Sequence, residues 1–155
     1  MSLAESPSAV PALSLRRSKV TSLTEALACV RDGDTVATCG FAGTAFPENL
    51  AVGLENRFVE TGGPRNLTFL YAAGQGDGKD RGMNHFAHEG MVKRVIGGHW
   101  GMAPKLQAMV FAEQIEAYNL PQGIISHLYR DIARDHLPGG PGHLRGPGVR
   151  RRETQ

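Results

Sequence analysis

Three short stretches hold residue types suited to binding and stabilising negative charge. The first is Cys39-Gly40-Phe41-Ala42-Gly43-Thr44-Ala45-Phe46-Pro47. A glycine turn between a strand and a helix exposes backbone N–H groups beside the positive end of a helix dipole. That arrangement can hold a phosphate, a carboxylate or a developing oxyanion. The same spacing also fits a tight turn that needs small residues for steric reasons alone. It is not Gly-x-Gly-x-x-Gly, and no Gly-Lys-Ser/Thr follows, so neither a dinucleotide fingerprint nor a P-loop is supported. The second stretch, Gly74-Gln75-Gly76-Asp77-Gly78-Lys79-Asp80-Arg81-Gly82, offers Asp77 and Asp80 to a divalent cation. It has too few acidic positions for an EF-hand and lacks the distant glutamate, so a solvated turn is expected. The third is Asn119-Leu120-Pro121-Gln122-Gly123. Its Gln122 amide can donate to an acyl oxygen without titrating, or can serve only to cap a helix or shape a turn.

The remaining chemistry-bearing residues are less directed. His85-Phe86-Ala87-His88-Glu89 places two imidazoles three residues apart without a clear third ligand, and it is not His-Glu-x-x-His, so no zinc site is expected. His99 and Trp100 read as loop or core residues, and His127 as facing the core. Cys29 and Cys39 fall in neither a Cys-x-x-Cys nor a Cys/His pattern and are expected to be buried thiols. There is no Gly-x-Ser-x-Gly elbow and no Cys/His pairing. The chain therefore shows no nucleophile of its own.

Elements that alternate in type must position these stretches. Ser22-Leu23-Thr24-Glu25 is a capping box, and Leu23, Ala26, Leu27 and Val30 continue an apolar face until Asp32-Gly33. Residues 35–39 are rich in β-branched side chains and bounded by turns, which predicts a buried strand. Pro47 suits the first helical position, and Leu50, Ala51, Leu54, Phe58 and Val59 recur at helical spacing. Residues 67–71 predict a second strand, 92–96 a third, 104–114 a helix, 115–119 a fourth strand and 122–133 a last helix. Parallel strands require crossover connections, so this alternation predicts an α/β fold, a mostly parallel sheet with helices on both faces. Ligands of such sheets bind beyond the carboxyl ends of the strands, where all three stretches fall.

Length and composition agree with one soluble domain. The 155 residues are 41% hydrophobic and 21% charged, with 20 Gly and 9 Pro. The net charge of +2 comes from Arg145, Arg150, Arg151 and Arg152 set against Asp135 and Glu153, which leaves residues 1–134 neutral. A nucleic-acid surface needs a basic stripe on the folded body, so no nucleic acid partner is expected. Gln107 interrupts the longest nearly apolar stretch, residues 106–112, far short of the roughly 20 residues that span a bilayer. No membrane contact is expected. Residues 1–19 lack a secretory h-region, and a cytoplasmic location is expected.

Taken together, the motifs resemble family I CoA-transferases, in particular the acetate or propionate CoA-transferase branch. The resemblance covers residues 19–133. It is carried by Asp32-Gly33-Asp34-Thr35-Val36, the Gly40-Phe41 to Pro47 loop, the run from Tyr71-Ala72-Ala73 through Gly82, Val95-Ile96-Gly97-Gly98-His99-Trp100, and Tyr118-Asn119-Leu120-Pro121-Gln122-Gly123. Cys39 stands where the family has a first glycine before Gly-Phe. The resemblance implies an amino-terminal, alpha-subunit-like lobe and a ping-pong transfer of CoA between a short-chain acyl-CoA and a carboxylate through a glutamyl-CoA thioester. It implies no permanently bound cofactor, with coenzyme A as substrate. It assigns substrate or CoA contacts to Gly40, Phe41, Ala42, Gly43, Gly74, Gln75 and Gly76, and an oxyanion-donor role to Gln122. The attacking glutamate of the family lies in a second lobe or beta-type subunit, so this chain is expected to be inactive alone, poorly soluble or marginally stable, and part of a homo-oligomer at full length. A non-catalytic CoA or anion-binding module and a sugar-phosphate isomerase or regulator domain are the alternatives.

The ends are expected to lie outside this lobe. Residues 1–18 read as a flexible tail. After Ala133 the family continues with a run like Val-Gly-Leu-Gly-Thr-Phe-Val-Asp-Pro, whereas this chain turns rich in Gly, Pro and Arg. Codons exist for residues 139–155 that encode such a run when read one base later. We therefore expect a frameshift near residues 134–138 and a disordered, out-of-frame segment over 134–155; sequencing the coding DNA decides it.

Overall fold

The computed structural model describes residues 20–135. The expected tail at 1–18 lies outside the described residues, as does the segment expected to be disordered from 134 on, except for Arg134 and Asp135, which continue the last helix instead. Helix α1 (Leu23–Leu27) starts at the expected capping box: the Ser22 hydroxyl accepts from the Glu25 N–H, and the Glu25 carboxylate accepts from the Ser22 N–H. It ends earlier than its apolar spacing predicts. The Arg57 guanidinium donates to Leu27 O, at the end of the helix, and to Val30 O beyond it, at 2.7 and 3.0 Å.

Strand β1 (Thr35–Ala37) follows, then α2 (Glu48–Thr61), β2 (Leu67–Tyr71), a 3₁₀ turn (Gly82–Phe86), β3 (Val92–Gly97), α3 (Pro104–Phe111), β4 (Glu116–Asn119) and α4 (Gln122–Asp135). The four strands are parallel and lie in sequence order, β1-β2-β3-β4. One row across the sheet pairs Val36 with Phe69, Phe69 with Val95 and Val95 with Ala117. All four belong to or pack against the main core. Ala51 and Leu54 of α2, Met83 and Phe86 of the 3₁₀ turn and Leu106 and Met109 of α3 share that core, so these three elements cover that face. Leu70, pointing the other way from Phe69 and Tyr71, is buried but stands outside that core, as does Ile125 of α4, whose Tyr129 hydroxyl reaches Leu70 O. Helices thus cover both faces.

Several expectations are corrected. Strand β1 is not buried: Thr35 and Ala37 are exposed because β1 is an edge strand with β2 as its one partner among the described residues. Pro47 is the N-cap of α2 rather than its first helical residue. Ala51 and Leu54 form the buried stripe of α2, while Leu50 and Val59, at its margins, are exposed. Helix α3 stops at Phe111, short of 114, since Glu113 takes a positive φ of 55° that no helix continues. Cys29 and Cys39 are exposed, one beyond the end of α1 and the other beyond the end of β1. His127 also faces solvent, as Ile125 takes the buried side of α4.

The 3₁₀ turn had no distinct signal in the sequence. Its buried Asn84 donates to Arg81 O at 2.8 Å and accepts from the Lys105 N–H at 2.9 Å. It thereby caps α3, whose own N-cap residue is Ala103.

Candidate functional site

The loops that leave all four strands meet at the carboxyl ends of the sheet. After β1, the Thr38 N–H still donates to Leu70 O, and then the chain tightens. Phe41 and Thr44 exchange two backbone hydrogen bonds at 3.0 and 2.9 Å, closing a small loop that leaves the Phe41 ring 72% exposed. Gly40 at φ 126° has no room for a side chain, since a Cβ would lie 2.9 Å from Phe46 N and Thr44 O. This loop is stitched to the one after β2: the Ala42 N–H donates to Gly74 O at 2.7 Å and the Gly76 N–H donates to Ala42 O at 3.0 Å.

Two adjoining hollows of about 470 and 340 Å³ lie above these loops and share Phe41, Ala72, Ala73 and Gln122. The larger is lined by Thr38, Cys39, Gly40, Gln75 and Tyr129, the smaller by Ala42, Gly74, Gly98, His99 and Met102. No Asp, Glu, Lys or Arg among the described residues lines either one. Burial raises the Tyr129 phenol above its ordinary value, so it is a neutral donor at physiological pH. This wall offers apolar surface, amides and hydroxyls. It holds no carboxylate to act as a nucleophile.

The coenzyme A transferase family profile matches residues 20–130. The chain belongs to the coenzyme A transferase family. It is 38% identical over 115 residues to the caffeate CoA-transferase of Acetobacterium woodii and 36% identical over 124 residues to the acetate CoA-transferase YdiF of Escherichia coli K12. Those spans are 74% and 79% of this chain but 22% and 23% of the two proteins. The crystal structure of the acyl-CoA transferase YdiF of E. coli O157:H7 in a thioester complex with CoA matches with a TM-score of 0.70 and 34% identity, over 76% of this chain and 24% of that one. Its apoenzyme matches with a TM-score of 0.69 at 35% identity, over 77% of this chain and 23% of that one. The chain thus spans about a quarter of the length of these relatives.

In this family member the expected site residues divide into two groups. Gly40, Phe41, Ala42, Gly74, Gln75 and Gln122 share the crevice. Gly43 and Gly76 instead border a separate hollow of about 110 Å³, with Glu48 and Arg81. Of the three amides at 40–42, those of Phe41 and Ala42 are engaged by Thr44 O and Gly74 O, whereas Gly40 N–H has no backbone acceptor among the described residues. Thr38, Met102 and Tyr129 line the crevice without having been singled out, and His99, read from the sequence as a loop or core residue, lines it too. Tyr129 was findable, since it lies seven residues after Gln122 and so on the same face of α4.

Gln75 is buried and engaged within the fold. Its Oε1 accepts from the Thr38 hydroxyl at 2.6 Å, and its Nε2 donates to Gly40 O at 3.4 Å. Thr38→Val keeps the shape but leaves that oxygen without its donor. We expect a loss of about 1–3 kcal/mol in urea denaturation, recovered in Thr38→Ser.

Proposed function

We propose that this chain forms one wall of the acyl-CoA site of an enzyme that moves coenzyme A between a short-chain acyl-CoA and a carboxylate. The reaction runs by a ping-pong route through a glutamyl-CoA thioester. The glutamate comes from a second lobe or beta-type subunit, and this chain alone does not turn over. The reading is supported chiefly by one observation: loops from four consecutive parallel strands border a single crevice with free amide groups and no carboxylate. Within it, the exposed Gln122 amide and the Gly40 N–H donate to the acyl oxygen as it gains charge, and Phe41, Ala42 and Gly74 line the path of the CoA thioester. Gln75 acts through Thr38 and Gly40 by holding the loop. Tyr118 and Ile124, 50% and 55% exposed near the β4 exit, belong to the surface that the second lobe covers. Assembly into a homo-oligomer is proposed for the full-length protein.

The test is to co-express the chain with the complementary portion of a full-length relative and measure acetate-dependent CoA transfer from propionyl-CoA. A CoA adduct on a glutamate of the complementary portion should be trapped by mass spectrometry. Gln122→Ala should lower kcat by about 10²-fold with less change in KM. Stable CoA binding without turnover in the complemented protein would replace this reading with that of a binding module.

A further inference from the structure

Glu48 is the first residue of α2, directly after the loop from β1, while Arg81 and Gly82 end the loop from β2. The Glu48 carboxylate accepts from Arg81 Nε and from the Gly82 N–H, both at 3.2 Å. One carboxylate therefore joins the points where both crevice loops leave the site. His85 lies between Glu48 and Glu55, which share one face of α2. Its Nε2 is 2.9 Å from Glu48 Oε1 and its Nδ1 is 2.5 Å from Glu55 Oε2. A neutral imidazole has one donor nitrogen and one acceptor nitrogen. Set between two carboxylates, it would turn one lone pair against another. With both carboxylates ionised, the imidazolium is the form that satisfies both contacts.

The surrounding charges are few. His88 Nε2 meets Glu55 Oε1 at 2.8 Å, and Arg81 is largely solvated. Helix α3 packs on the 3₁₀ turn, but its Lys105 ammonium pairs with Asp80 at 2.9 Å. The turn is coupled to the crevice by short steps. The Met83 N–H donates to Gln75 O at 3.2 Å, and Gly82 stacks on Gly76, whose N–H donates to Ala42 O. Gln75 in turn holds Thr38 and Gly40.

We propose that Glu48 and His85 are positioning residues: the His85 imidazolium, clasped between Glu48 and Glu55, locks the exits of both crevice loops and makes the CoA-binding wall dependent on pH. The CoA part of this statement rests on the function proposed above. Burial alone lowers the His85 pKa, but its hydrogen bonds to Glu48 and Glu55 outweigh burial and leave it above its ordinary 6.5. The clasp is therefore complete below about pH 6.5 and is released as pH rises through that raised value. Burial raises Glu48 and Glu55, and their hydrogen bonds outweigh it, leaving both below their ordinary 4.5. Their contribution is present above pH 4.5 and is lost as pH falls through the lowered values.

The test uses the 155-residue chain. Nitrogen-15 NMR of labelled histidine should show protons on both ring nitrogens of His85 at pH 6. Between pH 6 and 8.5, amide hydrogen exchange over residues 74–82 should accelerate beyond the intrinsic base-catalysed rise, and CoA affinity by calorimetry should fall about fivefold or more. In His85→Gln the excess exchange should be present at pH 6 and show no further pH dependence. A neutral His85 at pH 6, or loop exchange that follows the intrinsic rate alone, overturns the clasp, even where CoA binds. If His85 is doubly protonated and the loop responds to pH while CoA binds at no pH even to the chain complemented with the second lobe, the clasp stands and the CoA reading fails. The wild-type measurements require no variant to fold.

Discussion

Replacing Gly76 with alanine should cost about 3–5 kcal/mol of stability, a large share of what a domain of this size has to lose. Gly76 sits at φ 149°, and an added Cβ would collide with the carbonyl oxygen of Met102 while lying 3.1 Å from that of Arg81. Both obstacles are backbone, so no side-chain rotation relieves them. The residue is also the point where the loops from β1, β2 and β3 touch, through the Gly76 N–H to Ala42 O and the contact with Met102. Gly78→Ala is the control. Its φ is 75° with nothing within 4 Å of a Cβ, so it bears the backbone cost alone, about 1–2 kcal/mol. Urea denaturation of both variants decides the matter. Equal losses would show that the collision does not exist in solution.

Phe69→Ala should be comparably damaging, at about 3–5 kcal/mol. Phe69 is fully buried at the middle of β2, between Val36 and Val95, and its ring stacks on Phe86 with centroids 4.2 Å apart. Truncation leaves a cavity between the sheet and the 3₁₀ turn, which the sheet cannot close because its spacing is set by hydrogen bonds on both sides of β2. Phe111→Ala removes the same ring from a position 74% exposed and should change stability by about 0.5 kcal/mol or less. A small loss for Phe69→Ala would mean that the core around Phe86 repacks freely.

Much of the frame was legible because its signals are local. The capping box at Ser22, the run Leu67–Tyr71 and the start of α3 at Pro104 each depend on a few neighbouring residues. The alternation of strands with helices was enough to predict a parallel sheet with its loops gathered at one end. Six of the eight residues expected at the site do line the crevice. Less visible were features that depend on a partner far along the chain. The carbonyls at and just after the end of α1 meet Arg57, about 30 positions on, and the solvent-facing side of β1 follows from its place at the edge of the sheet.

From its residue order alone the protein already determined which segments become strands, where glycine must turn the chain, and which family motifs those turns carry, because hydrogen-bond caps, side-chain periodicity and backbone sterics act over a few residues. The packed structure decided the direction each loop residue faces. It turned Gln75 inward onto Thr38, set Gly43 and Gly76 on a separate hollow and brought His85 between two carboxylates of α2. Those outcomes depend on contacts between residues some 30 to 40 positions apart, whose geometry exists only once the sheet has aligned the loops beside one another.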